Sequence, residues 1–426
     1  MPSFLASSTD ATELVTKLVI QIAIILIAAK LGGEICKRYI RIPAVLGELA
    51  AGVIIGPYLL GGIQFFGLPA IFPLSTELGT IPVSSEIWSL AQIASIVLLF
   101  FVGLETDLSL FRKYAGAAVL VAIGGVILPF LLGVVGTTLF SPVDSFFATE
   151  ALFMGAILTA TSVGITARVL SEMGSLHSAE GVTILAAAVM DDILGILILT
   201  IVVGISTSGI ISASGVMWVG FKAIGFWIAL TAGGLIIAPY LTKFIDNLKV
   251  PGAPIALFLA LALLGAGLAE SFGLALIIGA YSMGLAMSKT DLAQRMIDPF
   301  SSIYNALVPI FFVVMGMLVD ISAMKESIIL GIVITILAII SKVVGSGIPS
   351  IFAGFNKKGA IRIGVGMMPR GEVALIIAGI GLSTGVIGQD LFGVSIVMTV
   401  VTSVLAPIIL VPLFRNNPTT DSDNAS

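Results

Sequence analysis

Ala186-Ala187-Ala188-Val189-Met190-Asp191-Asp192-Ile193-Leu194-Gly195-Ile196-Leu197 places two consecutive carboxylates in the middle of a run, residues 182–206, that carries no other charge. A run of that length and apolarity is read as a membrane-spanning helix. Near the bilayer centre each carboxylate costs at least roughly 2.5–3.5 kcal/mol unless it faces protein or water. Consecutive helical residues project about 100° apart, so the two acids cannot grip one ligand symmetrically. One is expected to face a cavity and the other to find a cationic partner. Lys342, set mid-helix in Ala338-Ile339-Ile340-Ser341-Lys342-Val343-Val344-Gly345, is the expected partner. A purely structural ion pair is the plain alternative.

The rest of the 426-residue chain has the same character: 58% of its residues are hydrophobic and 10% charged. A soluble domain carries roughly 25% charged residues, so 20 basic and 24 acidic side chains cannot coat a water-soluble surface of this size. One cysteine and one histidine leave no disulfide framework and no thiolate or multi-histidine metal centre. A net charge of −4 without basic blocks argues against nucleic acid as a partner. No GxxxxGK[ST] loop is present, so ATP drive is not expected, and no cofactor is implied.

Cutting the chain at Gly, Pro, Asn and charge clusters leaves about thirteen apolar runs of near-spanning length. They fall at 14–35, 43–57, 87–104, 115–139, 147–170, 182–206, 216–241, 253–269, 272–287, 303–319, 327–353, 361–383 and 391–414. The runs are continuous rather than alternating, which disfavours a β-barrel. The expected fold is therefore an all-α polytopic membrane protein. Alternate connections collect Lys37, Arg38, Arg41, Arg112, Lys113, Arg168, Lys243, Lys249, Lys289, Arg295, Lys357, Lys358 and Arg362, whereas the other set holds Lys325. Short cytoplasmic loops collect Lys and Arg, so the N-terminus is expected outside and residues 415–426 form a short disordered cytoplasmic tail. Nothing basic precedes the first apolar run, so no cleavable signal is expected.

An internal repeat is legible. Val102-Gly103-Leu104-Glu105-Thr106-Asp107-Leu108-Ser109 and Met315-Gly316-Met317-Leu318-Val319-Asp320-Ile321-Ser322 lie 213 residues apart with Gly, Asp and Ser in register. Gly47 and Gly52 match Gly279 and Gly284 at a spacing of 232. Both pairs sit seven spans apart, and an odd offset means opposite directions through the bilayer, as in the inverted repeats of secondary transporters. The same offset pairs the fifth run, with Thr159-Ala160-Thr161-Ser162-Val163-Gly164-Ile165-Thr166, and the twelfth, with Met368-Pro369-Arg370-Gly371-Glu372. Hydroxyls, Pro and Gly weaken a helix at these points, and helices interrupted at midplane expose half-helix ends that hold ions. The expected architecture is two inverted six-helix repeats, joined by a seventh span, with two broken crossover helices. Arg370 and Glu372 are read as neutralising those half-helix ends. His177 is expected to be a solvated loop residue whose chemistry would suit pH sensing. Lys222 is expected to snorkel, and Glu48, Glu105 and Asp107 to lie at helix ends near the interface.

A carboxylate in a partly dry cavity holds a proton more tightly than one in water, and a bare Na⁺ or K⁺ competes for the same oxygens. Such competition couples the two flows when the site opens to one side at a time. A channel or an organic-anion symporter on the same architecture is the alternative, and an unpaired Arg or Lys facing half-helix N-termini would mark the latter. An intramembrane aspartyl protease needs two aspartates on different helices, which an adjacent pair does not supply.

In their order along the chain, Gly47-Glu48-Leu49-Ala50-Ala51-Gly52, Phe101-Val102-Gly103-Leu104-Glu105, Ala160-Thr161-Ser162-Val163, Met190-Asp191-Asp192, Lys342 and Arg370-Gly371-Glu372 resemble the monovalent cation:proton antiporters, in the bacterial branch of sodium/proton antiporters and potassium efflux systems. The resemblance covers essentially the whole chain. It implies an antiporter rather than an enzyme, a homodimer in the bacterial plasma membrane, and an elevator-like ion-translocating core (87–206 with 303–414) beside a dimerisation domain (14–57 with 216–287). It implies Asp192 as the principal cation- and proton-binding carboxylate and Asp191 as the neighbour paired with Lys342. Thr161 and Ser162 correspond to the first crossover, and Arg370 and Glu372 to the second. Adjacent aspartates imply electrogenic exchange, and the short tail after the last helix tilts the expected cation toward Na⁺, with K⁺ as the alternative.

Overall fold

The computed structural model describes residues 2–64, 69–141, 145–208 and 213–415. It is helical throughout: α1 (Pro2–Ile35), α2 (Ala44–Ile55), α3 (Ser85–Glu105), α4 (Leu108–Phe140), α5 (Thr149–Thr159), α6 (Val163–Glu172), α7 (Ala179–Ser208) and α8 (Ala213–Asp246). The chain continues as α9 (Ala253–Ser271), α10 (Leu276–Met287), α11 (Asp291–Met317), α12 (Ile321–Glu326), α13 (Ile328–Phe352), α14 (Lys357–Gly366), α15 (Glu372–Ser383) and α16 (Gln389–Arg415). Among the described residues there is no strand beyond an isolated bridge between Leu78 and Ile81.

Each apolar run read from the sequence overlies helix, and among the described residues eleven helical stretches are long and apolar enough to cross a bilayer. Of the two runs outside that set, the ninth is the short α10 and the twelfth is divided between α14 and α15. The tail expected at 415–426 lies, beyond Arg415, outside the described residues.

The helices pack in two groups. In one, α2 lies on α1 and α11, α3 on α10 and α11, and α10 on α9. In the other, α4 lies on α13, α5 and α7, while α13 lies on α14 and α16. Small residues set the first group. A Cβ on Gly52 would collide with the Val313 carbonyl and one on Gly316 with the Leu49 carbonyl, so α2 and α11 meet backbone to backbone. Gly103 and Gly284 seat α3 against α10 in the same way. Close approach of this kind is how helices associate where lipid offers no hydrophobic drive.

The 213-residue sequence match falls on two equivalent caps. Asp107 accepts the Ser109 N–H at 2.6 Å and the Leu110 N–H at 3.3 Å ahead of α4. Asp320 accepts the Ser322 and Ala323 N–H groups at 2.8 and 3.1 Å ahead of α12. Each satisfies donors that a helix start leaves open.

Candidate ion-binding site

Helix α5 stops at Thr159 and α6 starts at Val163, and α14 stops at Gly366 with α15 starting at Glu372. The two interruptions touch. The Ser162 N–H donates to the Pro369 carbonyl at 2.9 Å, Thr166 Oγ1 to the Gly366 carbonyl at 2.6 Å and Thr161 Oγ1 to the Met367 carbonyl at 3.4 Å. Backbone groups freed by each break are thus met partly by the other.

Negative half-helix ends also need positive charge nearby. Lys342 reaches in from α13 and is fully buried. Its Nζ donates to the Thr159 carbonyl at 2.8 Å, to the Gly125 carbonyl of α4 at 2.6 Å and to Asp191 Oδ1 at 2.7 Å. An ammonium has three donors, so every one is used, and the group ties together α4, α5, α7 and α13. The pairing expected between Asp191 and Lys342 is present, with Thr161 beside the same carboxylate. At the other interruption Arg370, also fully buried, donates from Nη1 to the Met368 carbonyl at 2.5 Å and from Nη2 to the Ala338 carbonyl at 3.4 Å. Its own carbonyl accepts a hydrogen bond from Ser403. Among the described residues Arg370 has no carboxylate within ion-pair distance. Glu372 opens α15, a carboxylate at the positive end of a half-helix, and its Oε2 is buried without a hydrogen-bond partner.

Asp192 is placed differently from its neighbour. Among the described residues it has no ion-pair partner, and it lines a cavity of about 370 Å³. Thr159, Ala160, Asp191 and Glu372 share that wall, and Glu270 stands at the exposed end. Four of the lining side chains, Asp191, Asp192, Glu270 and Glu372, are acidic, and among the described residues none is basic. Asp192 also borders a second void, of about 10 Å³, lined among others by Leu99, Val189 and Tyr281, at the lower limit of space for a single water. The carboxylate is therefore reached through the larger cavity.

Of the charged residues expected at helix ends, Glu105 closes α3 and is half-buried. Asp107 is an exposed cap, His177 is an exposed loop residue as expected, and Lys222 is exposed on α8. Glu48 is not interfacial: it is 2% exposed, with Oε1 3.8 Å from Arg168 Nη2. Arg168 Nε in turn lies 2.8 Å from Glu172, and its guanidinium covers the Tyr304 ring at 5.1 Å. Position near a helix end misled here because α6 and α11 close over Glu48, a tertiary fact with no local signature. Glu270 also carried no signal, being one acid near the end of an apolar run.

A buried, divided-helix site with an accessible carboxylate defines a membrane-embedded, ion-handling protein. Residues 22–416 match the family described as sodium/hydrogen exchanger, transmembrane, and the chain belongs to that family. It is 33% identical over 415 residues to the high-affinity Na⁺/H⁺ antiporter NhaS3 of Synechocystis sp., covering 91% of this chain and 88% of that one. It is 33% identical to the Na⁺/H⁺-K⁺ antiporter GerN of Bacillus cereus, covering 92% of this chain and 94% of the relative. The fold is similar to that of the sodium proton antiporter MjNhaP1 from Methanocaldococcus jannaschii, with a TM-score of 0.68 at 21% identity over 95% of this chain and 99% of that one.

Proposed function

We propose that this integral membrane antiporter exchanges a monovalent cation for protons, with the two competing for Asp192. The observation that carries this reading is the cavity of about 370 Å³, which holds a carboxylate with no ion-pair partner and has acidic but no basic side chains in its wall among the described residues. A site of that sign attracts cations, and the absence of a basic lining residue counts against an organic-anion symporter. The relatives named for Na⁺/H⁺ and Na⁺/H⁺-K⁺ exchange favour Na⁺ with K⁺ as a second cation.

The mechanism is alternating access. With the cavity open, a cation enters and displaces the proton from Asp192. Closure of that side and opening of the other presents the loaded carboxylate to the second compartment, where a proton replaces the cation. Asp191 and Lys342 hold the neighbouring charge, and the paired aspartates favour electrogenic stoichiometry. Thr161 and Ser162 line the crossover beside the seat, while Arg370 and Glu372 compensate the ends of α14 and α15. We assign the moving body to α4–α7 with α13–α16, and the supporting body to α1–α3 with α9–α11. This division moves α3 and α11 out of the core expected from sequence, and the packing of α3 on α10 and of α11 on α2 supports it. Matched caps at Asp107 and Asp320 and matched glycine seams support thirteen spans in two inverted repeats. A homodimer in the bacterial plasma membrane, N-terminus outside, completes the reading.

Dye-reported ΔpH in proteoliposomes tests it. Added Na⁺ or K⁺ is expected to dissipate a preset gradient, and no dissipation by Na⁺, K⁺ or Li⁺ at any pH overturns the proposal. Conductance steps in a planar bilayer would favour a channel instead.

A further inference from the structure

Helix α9 closes with Glu270 in its last turn, followed by Gly273 in the left-handed conformation at φ +80°. The C-terminal turn of a helix carries partial negative charge, so an anion there is electrostatically disfavoured. The usual compensation is missing: among the described residues Glu270 forms no ion pair, and its side chain is exposed. A local rule broken without a compensating contact points to function rather than to folding. The side chain forms part of the same wall as Asp192 and Glu372. Deeper in that wall the Glu372 carboxylate, 8% exposed, leaves Oε2 without a hydrogen-bond partner. The cavity thus carries acidic side chains both at an exposed position and at buried positions of its wall.

We propose that Glu270 is the capture residue of the antiport route: its carboxylate at the cavity mouth concentrates the incoming monovalent cation and hands it to the Asp192 seat. The inference rests on the reading of this cavity as the cation path. Glu270 acts at a distance, through the field it casts into a narrow, low-dielectric opening, and it neither binds the cation in the exchange step nor carries a proton. Removing one charge from such a mouth lowers the local cation concentration about threefold to fivefold at low ionic strength, and reversing it roughly squares that factor. Salt shortens the reach of the field from about 30 Å at 0.01 M to about 8 Å at 0.15 M.

The test uses the full-length protein in proteoliposomes, with Na⁺ as the probe and choline chloride setting the ionic strength. Glu270→Gln is expected to raise the half-saturating Na⁺ concentration about threefold to fivefold at low ionic strength, with maximal rate held within about twofold. Glu270→Lys is expected to raise it at least tenfold, and Glu270→Asp to restore it. All the curves should converge as choline chloride is raised. Unchanged half-saturation in both Glu270→Gln and Glu270→Lys overturns the proposal. So does a loss of maximal rate that ignores salt and is not rescued by Glu270→Asp, because that pattern marks a structural role. A wild-type protein inactive with every cation tested would sink the functional reading itself, whereas an active wild type with indifferent Glu270 variants sinks this inference alone.

Discussion

Lys342 and Arg370 do similar work at the two helix interruptions, yet their surroundings differ in one respect. Each is fully buried and donates to carbonyl oxygen at a break, Thr159 for the lysine and Met368 for the arginine. Lys342 shares its charge with Asp191 at 2.7 Å, whereas Arg370 has carbonyl acceptors and no carboxylate within ion-pair distance among the described residues. An arginine stays charged in any protein environment, while a buried lysine can give up its proton. The difference teaches that one interruption is braced by a permanent charge and the other by a charge tied to the acidic pair. On the proposed reading the first is scaffold and the second is coupled to the chemistry.

The comparison breaks most visibly at the seat itself. Asp192→Asn is expected to abolish cation-dependent proton movement, a loss of more than a hundredfold, while size-exclusion behaviour and melting in detergent stay near wild type. Near-normal exchange by that variant would remove Asp192 from its role. Lys342→Ala comes next. It leaves Asp191 buried without its partner and the Thr159 and Gly125 carbonyls unmet, which costs about 3–5 kcal/mol, and it should also displace the pH profile of transport. An unaltered profile and full charge movement on solid-supported membranes would make Lys342 as structural as Arg370. Arg370→Ala is expected to cost about 2–3 kcal/mol through its orphaned carbonyls. Thermal melting measures the loss, and the pH profile of residual exchange should keep its shape. A displaced profile would erase the distinction between the two cations.

The smallest effect concerns the cap of α4, at one end of the body that holds both interruptions. The Ser109 hydroxyl and the backbone N–H groups of Ser109 and Leu110 hold the Asp107 carboxyl below the usual carboxylate range. A depressed folded-state value means that the stabilisation is present above the unfolded value near 3.9 and is lost as pH falls through the folded one. Asp107→Ala should therefore cost about 1 kcal/mol at neutral pH, and the deficit should shrink toward zero below roughly pH 4. A deficit that stayed constant into acid would mean that the cap does not depend on charge. The seat follows the same direction: protons compete with the cation, so apparent Na⁺ affinity weakens toward acid, by as much as tenfold per pH unit where the carboxylate is mostly protonated. Calorimetry showing Na⁺ binding that is flat with pH would contradict a shared seat.

Much of the fold and of the site is legible in the sequence alone. Paired acids in an apolar run announced a cavity and a cation, and Lys342 was identifiable because charges in apolar helices are rare enough to pair by elimination. The interruptions at Thr161-Ser162 and Pro369-Gly371 were legible because Pro, Gly and clustered hydroxyls act on the backbone locally. What the sequence concealed depends on distant chain segments meeting. Glu48 reads as an end residue until α6 delivers Arg168 to it, and the assignment of α3 and α11 to one group of helices follows from glycine contacts whose partners lie far along the chain.

Those glycine seams carry a mechanical consequence. Where Gly52 meets Gly316 and Gly103 meets Gly284, main chain bears directly on main chain with no cushion of side chains between. Sliding requires a surface whose contacts can be exchanged one at a time, and carbonyl oxygens seated against a facing main chain offer none. The α2–α11 and α3–α10 pairs are therefore held as rigid pairs, as is α4–α13 where Gly124 meets Gly345, and any sliding between helices falls on faces packed through longer, more pliable groups.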